Sequence, residues 1–252
     1  MMSKAKPLYR LTLLCVLLTM SCTGEERENS QVSESTADAV TAPVAGTATA
    51  EGDRSAATGE KTPESEIPRI LVLGNSITAG YGLPPEQAFP ALLQARIDAA
   101  GYNYEVVNAG LSGETTAGGR RRIEWLLRRD AEVLVIELGG NDGLRGTDPS
   151  SMSDNLLAII ETARASNPEM RIVLGGMRMP MNMGGAYREE FESVYPEVAD
   201  QTDVVLIPHI LEGVGGVPSM NQPDGIHPTA EGQEIIAETV WQYLEPLLAK
   251  EA

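Results

Sequence analysis

From Thr23 to about Ile67 the chain shows no hydrophobic period. Ser, Thr, Ala, Glu and Gly dominate, as in TAPVAGTATAEGDRSAATGEKTPESE. Such a segment has too little apolar surface to offset the entropy of folding, so a disordered acidic tether is expected over 22–67. From Pro68 the pattern becomes regular. Arg69 to Leu73 (RILVL) is a short apolar run suited to a strand buried on both faces. Phe89, Leu92, Leu93, Arg96 and Ile97 then follow a helical period, and Tyr104 to Val107 reads as a second strand. Ile123, Leu126 and Leu127 mark a helix, and Glu132 to Leu138 (EVLVIEL) is the clearest strand of the chain. A helix on Leu156, Ile159, Ile160 and Ala163 precedes a strand at Arg171 to Leu174. Tyr187 to Val198 reads as helix, Val204 to Ile207 as strand, and Ile236, Val240, Tyr243, Leu244 and Leu247 as the last helix. Strands and helices alternate, and the strands lie too far apart for hairpins. The expected architecture over 68–252 is one α/β domain, a parallel sheet covered by helices on both faces.

The first residues carry a different pattern. Lys4, Lys6 and Arg10 precede an apolar run from Leu11 to Met20, closed by Ser21 and Cys22. This is the layout of a secretory signal over 1–21, and the run is short for a bilayer span. Leu18-Thr19-Met20-Ser21-Cys22 resembles a bacterial lipobox, which implies a lipid on the Cys22 thiol. The expected location is the outer membrane, facing the periplasm, with the membrane reached through that anchor. Cys15 would leave with the signal, so the mature chain could form no internal disulfide.

Composition narrows the chemistry. The formal net charge of −17 repels phosphate backbones, and aromatics are only 4%, so no nucleic acid partner is expected. Two cysteines and two histidines leave little material for a zinc site, and neither metal nor cofactor is expected.

Ligands of open parallel sheets bind beyond the carboxyl ends of the strands. After the first strand, Gly74-Asn75-Ser76-Ile77-Thr78-Ala79-Gly80 places a serine at a helix start. There its backbone N–H and the helix dipole could hold an anion. The same residues would also make a plain capping turn. GxxxxGK[ST] is absent, which weakens a phosphate loop, and GxGxxG is missing, which weakens a dinucleotide site. Asn108-Ala109-Gly110-Leu111-Ser112-Gly113-Glu114 follows the second strand, and Gly139-Gly140-Asn141-Asp142-Gly143 the third. An amide such as Asn141 can donate to a developing oxyanion. Asp224 and His227, three apart before the last helix, can hydrogen-bond to each other. His209 lacks such a partner and reads as structural. Arg120, Arg121, Arg122, Arg128 and Arg129 read as a solvated helix face, with an anionic headgroup contact as the alternative.

Taken together these loops resemble the SGNH (GDSL-type) hydrolases. Ser76, Gly113, Asn141 and His227 would be the four name-giving residues, in the family's chain order. GNSITAGYGL, NAGLSGETT, ELGGNDGLRG and DGIHP are similar to the branch of bacterial thioesterase I, lysophospholipase and arylesterase. The resemblance implies a three-layer α/β/α sandwich around a five-stranded, flavodoxin-like parallel sheet. It implies a serine esterase with Ser76, Asp224 and His227 as catalytic triad. Ser76, Gly113 and Asn141 would form the oxyanion hole. The small-molecule substrate would be an acyl or aryl ester, a lysophospholipid or a thioester. The family usually carries Asp where this chain has Asn75, so the field around Ser76 is expected to be less negative. Met177, Met179, Met181 and Met183 alternate in the position of the branch's acyl-binding loop. If that loop is extended they face one way, and Met179, Met181 and Met183 would contact the acyl chain. They could instead fill a gap beneath the loop. A carbohydrate-ester deacetylase and a non-catalytic envelope lipoprotein are the competing readings.

Overall fold

The structure, a computed structural model, describes residues 67–250. The signal segment, Cys22 and nearly all of the tether lie outside the described residues. No helix among the described residues is long and apolar enough to cross a membrane.

Five strands form one parallel sheet: β1 Arg69–Gly74, β2 Glu105–Gly110, β3 Val133–Glu137, β4 Arg171–Gly175 and β5 Val205–Ile207, in the order β2-β1-β3-β4-β5. All four pairings are parallel. Every residue of β1 and β3 is buried, as their unbroken apolar runs require of central strands covered on both sides. Full burial of each such Val, Leu or Ile side chain is worth about 1.5–3 kcal/mol, which makes this pair the rigid centre of the fold. β2 is an edge strand and mostly half-exposed. It continues past the apolar residues to Gly110, because Asn108, Ala109 and Gly110 still pair with Val72, Leu73 and Gly74.

Helices cover the sheet. α2 (Phe89–Ala99) packs against α7 (Ala230–Leu244), while α5 (Pro149–Ser166) lies between α3 (Thr116–Leu126) and α6 (Gly185–Thr202). Two short helices, α1 (Ser76–Ala79) and α4 (Gly140–Leu144), start at the ends of β1 and β3. The strand order reverses between β1 and β3, and such a reversal opens a crevice at the carboxyl edge. Ser76 stands at that point.

Candidate active site

The turn that carries Ser76 is set by its neighbours. Asn75 caps α1, its Oδ1 accepting from the Ile77 N–H at 2.9 Å. Ser76 is the first helical residue, so its own N–H has no acceptor within the helix. Two glycines allow the close approach. A side chain at Gly74 would collide with the Thr78 hydroxyl and with Glu137, and one at Gly110 with the α1 backbone at Ala79. Below α1, the buried Gln233 of α7 donates to the Ile77 carbonyl at 3.0 Å and accepts from the Phe89 N–H at 2.9 Å. The Ser76 turn is thereby tied to both helices of that layer.

Asp224, His227 and Ser76 form one hydrogen-bonded chain. Asp224 Oδ2 lies 2.7 Å from His227 Nδ1, and His227 Nε2 lies 3.0 Å from Ser76 Oγ. Asp224 Oδ1 accepts from the Ile226 and His227 N–H groups at 2.9 and 3.0 Å, so the same carboxylate folds the loop that carries the histidine. The His227 ring bond, followed by those two backbone bonds, lowers the Asp224 pKa to about 2. Gln222 fastens this loop to the segment after Ser76: its amide donates to the Tyr81 and Pro228 carbonyls at 2.7 and 3.0 Å. The half-exposed Tyr81 ring lies against the imidazole, with centroids 4.3 Å apart.

Gly113 sits in the loop after β2 and Asn141 in α4 after β3, behind the two strands that flank β1. Gly113 has φ +79° and offers its carbonyl to Arg145 at 3.0 Å. Asn141 Nδ2 donates to the Glu114 carbonyl at 3.0 Å, joining α4 to the loop after β2. One N–H of that amide is thus spent on orientation, and the other remains to be offered elsewhere. Asp142, buried beside it, accepts from the Thr116 N–H and hydroxyl at 2.9 and 2.7 Å.

Several residues that shape the site escape a reading of the sequence. Glu137 ends β3 and is fully buried. Its carboxylate accepts from Asn75 N at 3.1 Å, Asn75 Nδ2 at 2.7 Å, Thr78 N at 3.3 Å and Thr78 Oγ1 at 2.6 Å. Burial pushes its pKa up to about 7 against those four bonds, which pull it down. The chain with Asn75 therefore does not simply lack a carboxylate beneath Ser76: a strand-end glutamate lies there instead. Its one sequence signal is an acid closing an otherwise apolar strand. Arg122 corrects the reading of the arginine cluster as a solvated face. It grips the buried Glu114 through Nε at 2.9 and 2.7 Å, and its Nη2 reaches the Ala109 carbonyl at 2.6 Å. Arg120 and Arg129 do meet partners near the surface, Asn155 and Glu105.

The methionine loop also departs from its extended reading. Pro180 leads into a single 3₁₀ turn over Met181–Met183, which breaks the alternation. Met177 and Met179 are buried in the core, and a side chain at Gly143 would strike the Met179 sulfur. These two fill the space under the loop. Met183 is partly buried against the core, whereas Met181 is 81% exposed. His209 is half-buried, and its pKa is lowered by burial and by Arg178.

Residues 72–235 match the GDSL-like lipase/acylhydrolase family. The esterase TesA of Pseudomonas aeruginosa is 46% identical over 188 residues, covering 74% of this chain and 92% of that protein. The thioesterase 1/protease 1/lysophospholipase L1 of Escherichia coli is 38% identical over 180 residues, covering 71% of this chain and 84% of that one. A crystal structure of TesA superimposes with a TM-score of 0.69 at 47% identity, covering 71% of this chain and 99% of that chain.

Proposed function

The chain belongs to the GDSL-like lipase/acylhydrolase family of ester hydrolases, and from that premise we propose that it cleaves acyl esters through a Ser76–His227–Asp224 triad and an acyl-enzyme. The observation that carries this reading is the unbroken hydrogen-bond chain from Asp224 to Ser76 Oγ. Ser76 Oγ attacks the ester carbonyl while His227 Nε2 takes its proton. The imidazolium returns that proton to the leaving alcohol or thiol, and the acyl group stays on Ser76. Water, deprotonated by His227, then attacks the acyl-enzyme and releases the acid. Negative charge on the tetrahedral oxygen is met by the Ser76 and Gly113 N–H groups and the second Asn141 amide hydrogen. Asn141→Ala is expected to lower kcat by about 10²–10³, the usual worth of one oxyanion donor, and steady-state kinetics on a p-nitrophenyl ester check it.

The surroundings favour an acyl chain over acetate. Tyr81, Leu111, Leu144, Met181 and Ile226 are large apolar side chains left exposed. Tyr81 follows α1, Leu111 follows β2, Leu144 ends α4 after β3, Met181 starts the 3₁₀ turn after β4, and Ile226 lies in the histidine loop. Such a rim suits esters of medium or long chains, lysophospholipids and thioesters, in keeping with the names of the relatives. The lipobox-like segment would hold this activity at a membrane surface, facing the periplasm.

The test is hydrolysis of p-nitrophenyl esters from acetyl to palmitoyl by the full-length protein, with a lysophospholipid alongside. Turnover that rises beyond acetyl supports the acyl esterase. Turnover of acetate alone would move the assignment to a deacetylase, and silence on every ester would reject catalysis. Met181→Ser should reduce kcat/KM on decanoyl esters relative to acetyl about fivefold, as expected for roughly 1 kcal/mol of partial methionine burial.

A further inference from the structure

We propose that Asn75 and Glu137 act as one amide–carboxylate pair that positions the nucleophile turn, and that the pair is reciprocal, so that exchanging the two functional groups preserves it. The proposal rests on Ser76 being the nucleophile, as assigned above.

Glu137 makes four hydrogen bonds within the protein, and all four partners can donate. Three of them, Asn75 N, Thr78 N and Thr78 Oγ1, converge on Oε2, and Asn75 Nδ2 alone reaches Oε1. These groups stand immediately before Ser76 and two residues after it. The carboxylate thus grips both sides of the residue whose N–H and Oγ must face the substrate. No cation is among these partners; Arg122 of α3 approaches Gly74 through its carbonyl. The buried Tyr195 of α6 donates its hydroxyl to the Leu138 carbonyl rather than to Glu137.

The donor pattern dictates what a substitution does. In Glu137→Gln the new side chain has one acceptor and one amide donor. If its oxygen keeps the site of three donors, its NH₂ faces Asn75 Nδ2. If the amide flips, its NH₂ faces the Asn75 and Thr78 backbone N–H groups. Asn75 cannot flip to compensate, because its Oδ1 is held by the Ile77 N–H. Either arrangement sets a buried donor against a donor. Adding Asn75→Asp removes the conflict. The oxygen of the new glutamine then takes the three donors, and its NH₂ donates to one oxygen of the new aspartate. The other aspartate oxygen caps Ile77. The pair keeps one carboxyl group and one amide.

Glu137→Gln and Asn75→Asp/Glu137→Gln are compared with the wild-type protein on a p-nitrophenyl ester. Active serines are titrated with a fluorophosphonate, and thermal melts are recorded in parallel. Misplacing a nucleophile by a fraction of an ångström to 1 Å costs about 10–100-fold, so Glu137→Gln should lose that much kcat per titrated serine. KM should stay within about twofold, because the loss falls on the transition state. The double variant should return kcat per titrated serine to within about threefold of wild type, the residue of an imperfect steric exchange. Unchanged kcat per titrated serine in Glu137→Gln would reduce the pair to a folding element and overturn the proposal. A double variant no better than Glu137→Gln would overturn it as well. If Glu137→Gln does not fold, the double variant alone decides, since it must fold and turn over. Failure of the wild-type serine to label would instead remove the underlying assignment of Ser76.

Discussion

Ser76→Ala is expected to lower kcat by about 10⁴–10⁶, the range found when the nucleophile of a serine triad is deleted. The substitution is clean in this setting. The Ser76 hydroxyl meets His227 Nε2 at 3.0 Å and otherwise only Asn75 Oδ1, at 3.5 Å. Alanine is a good helix former at the start of α1 and keeps the backbone N–H, so the melting temperature should stay near that of the wild type. On the proposed mechanism, what remains is the oxyanion donors without the group that forms the acyl-enzyme. The measurement is steady-state hydrolysis of p-nitrophenyl octanoate, with intact-mass detection of fluorophosphonate labelling. Wild-type protein should gain one adduct on Ser76 and the variant none. His227→Ala should cost about as much, and the double variant little more, because groups that act as one unit are not additive. Unchanged turnover in Ser76→Ala would reject the mechanism outright.

The part of this site that can be read from the sequence is the part made of local patterns. The apolar runs at 69–73 and 132–138 suit buried strands, and their alternation with helical patterns implies a parallel sheet. Asp224 and His227 are three apart, so one turn suffices to join them. Ser76 and His227 are 151 residues apart, and a known order of motifs is needed to place them together. Contacts of that range without a motif stay hidden. Glu137 reaches Asn75 across 62 residues, and Arg122 reaches Gly74 across 48. An arginine among five in a cluster gives no sign that it points inward, and an acid at the end of a strand gives only a weak one. The methionine loop defeats its sequence pattern for a different reason. Alternation in sequence implies one face only while the backbone stays extended, and the 3₁₀ turn after Pro180 ends that condition.

Asp224→Asn should lower kcat by about 10³–10⁴ while leaving the loop in place, and the reason lies in the two jobs of this carboxylate. Oδ1 accepts the Ile226 and His227 N–H groups and so builds the turn, a task that the carbonyl oxygen of asparagine can take over. Oδ2 accepts from His227 Nδ1, and there the asparagine presents an NH₂. That donor favours the imidazole tautomer with its proton on Nε2, which then points an N–H at Ser76 Oγ and cannot act as its base. Asp224→Ala differs: it leaves the tautomer unconstrained but removes the acceptor that folds the turn. Asparagine should therefore be the worse catalyst of the two per folded molecule, and alanine the less stable protein. The wild-type carboxylate has its pKa depressed to about 2, so it stays ionised as pH falls until that value is approached. Protonation of Asp224 should accordingly not set the acid limb of the wild-type pH profile. Kinetics of both variants from pH 5 to 9, with thermal melts at each pH, test the argument. Equal kcat in Asp224→Asn and wild type would show that Asp224 only folds its loop.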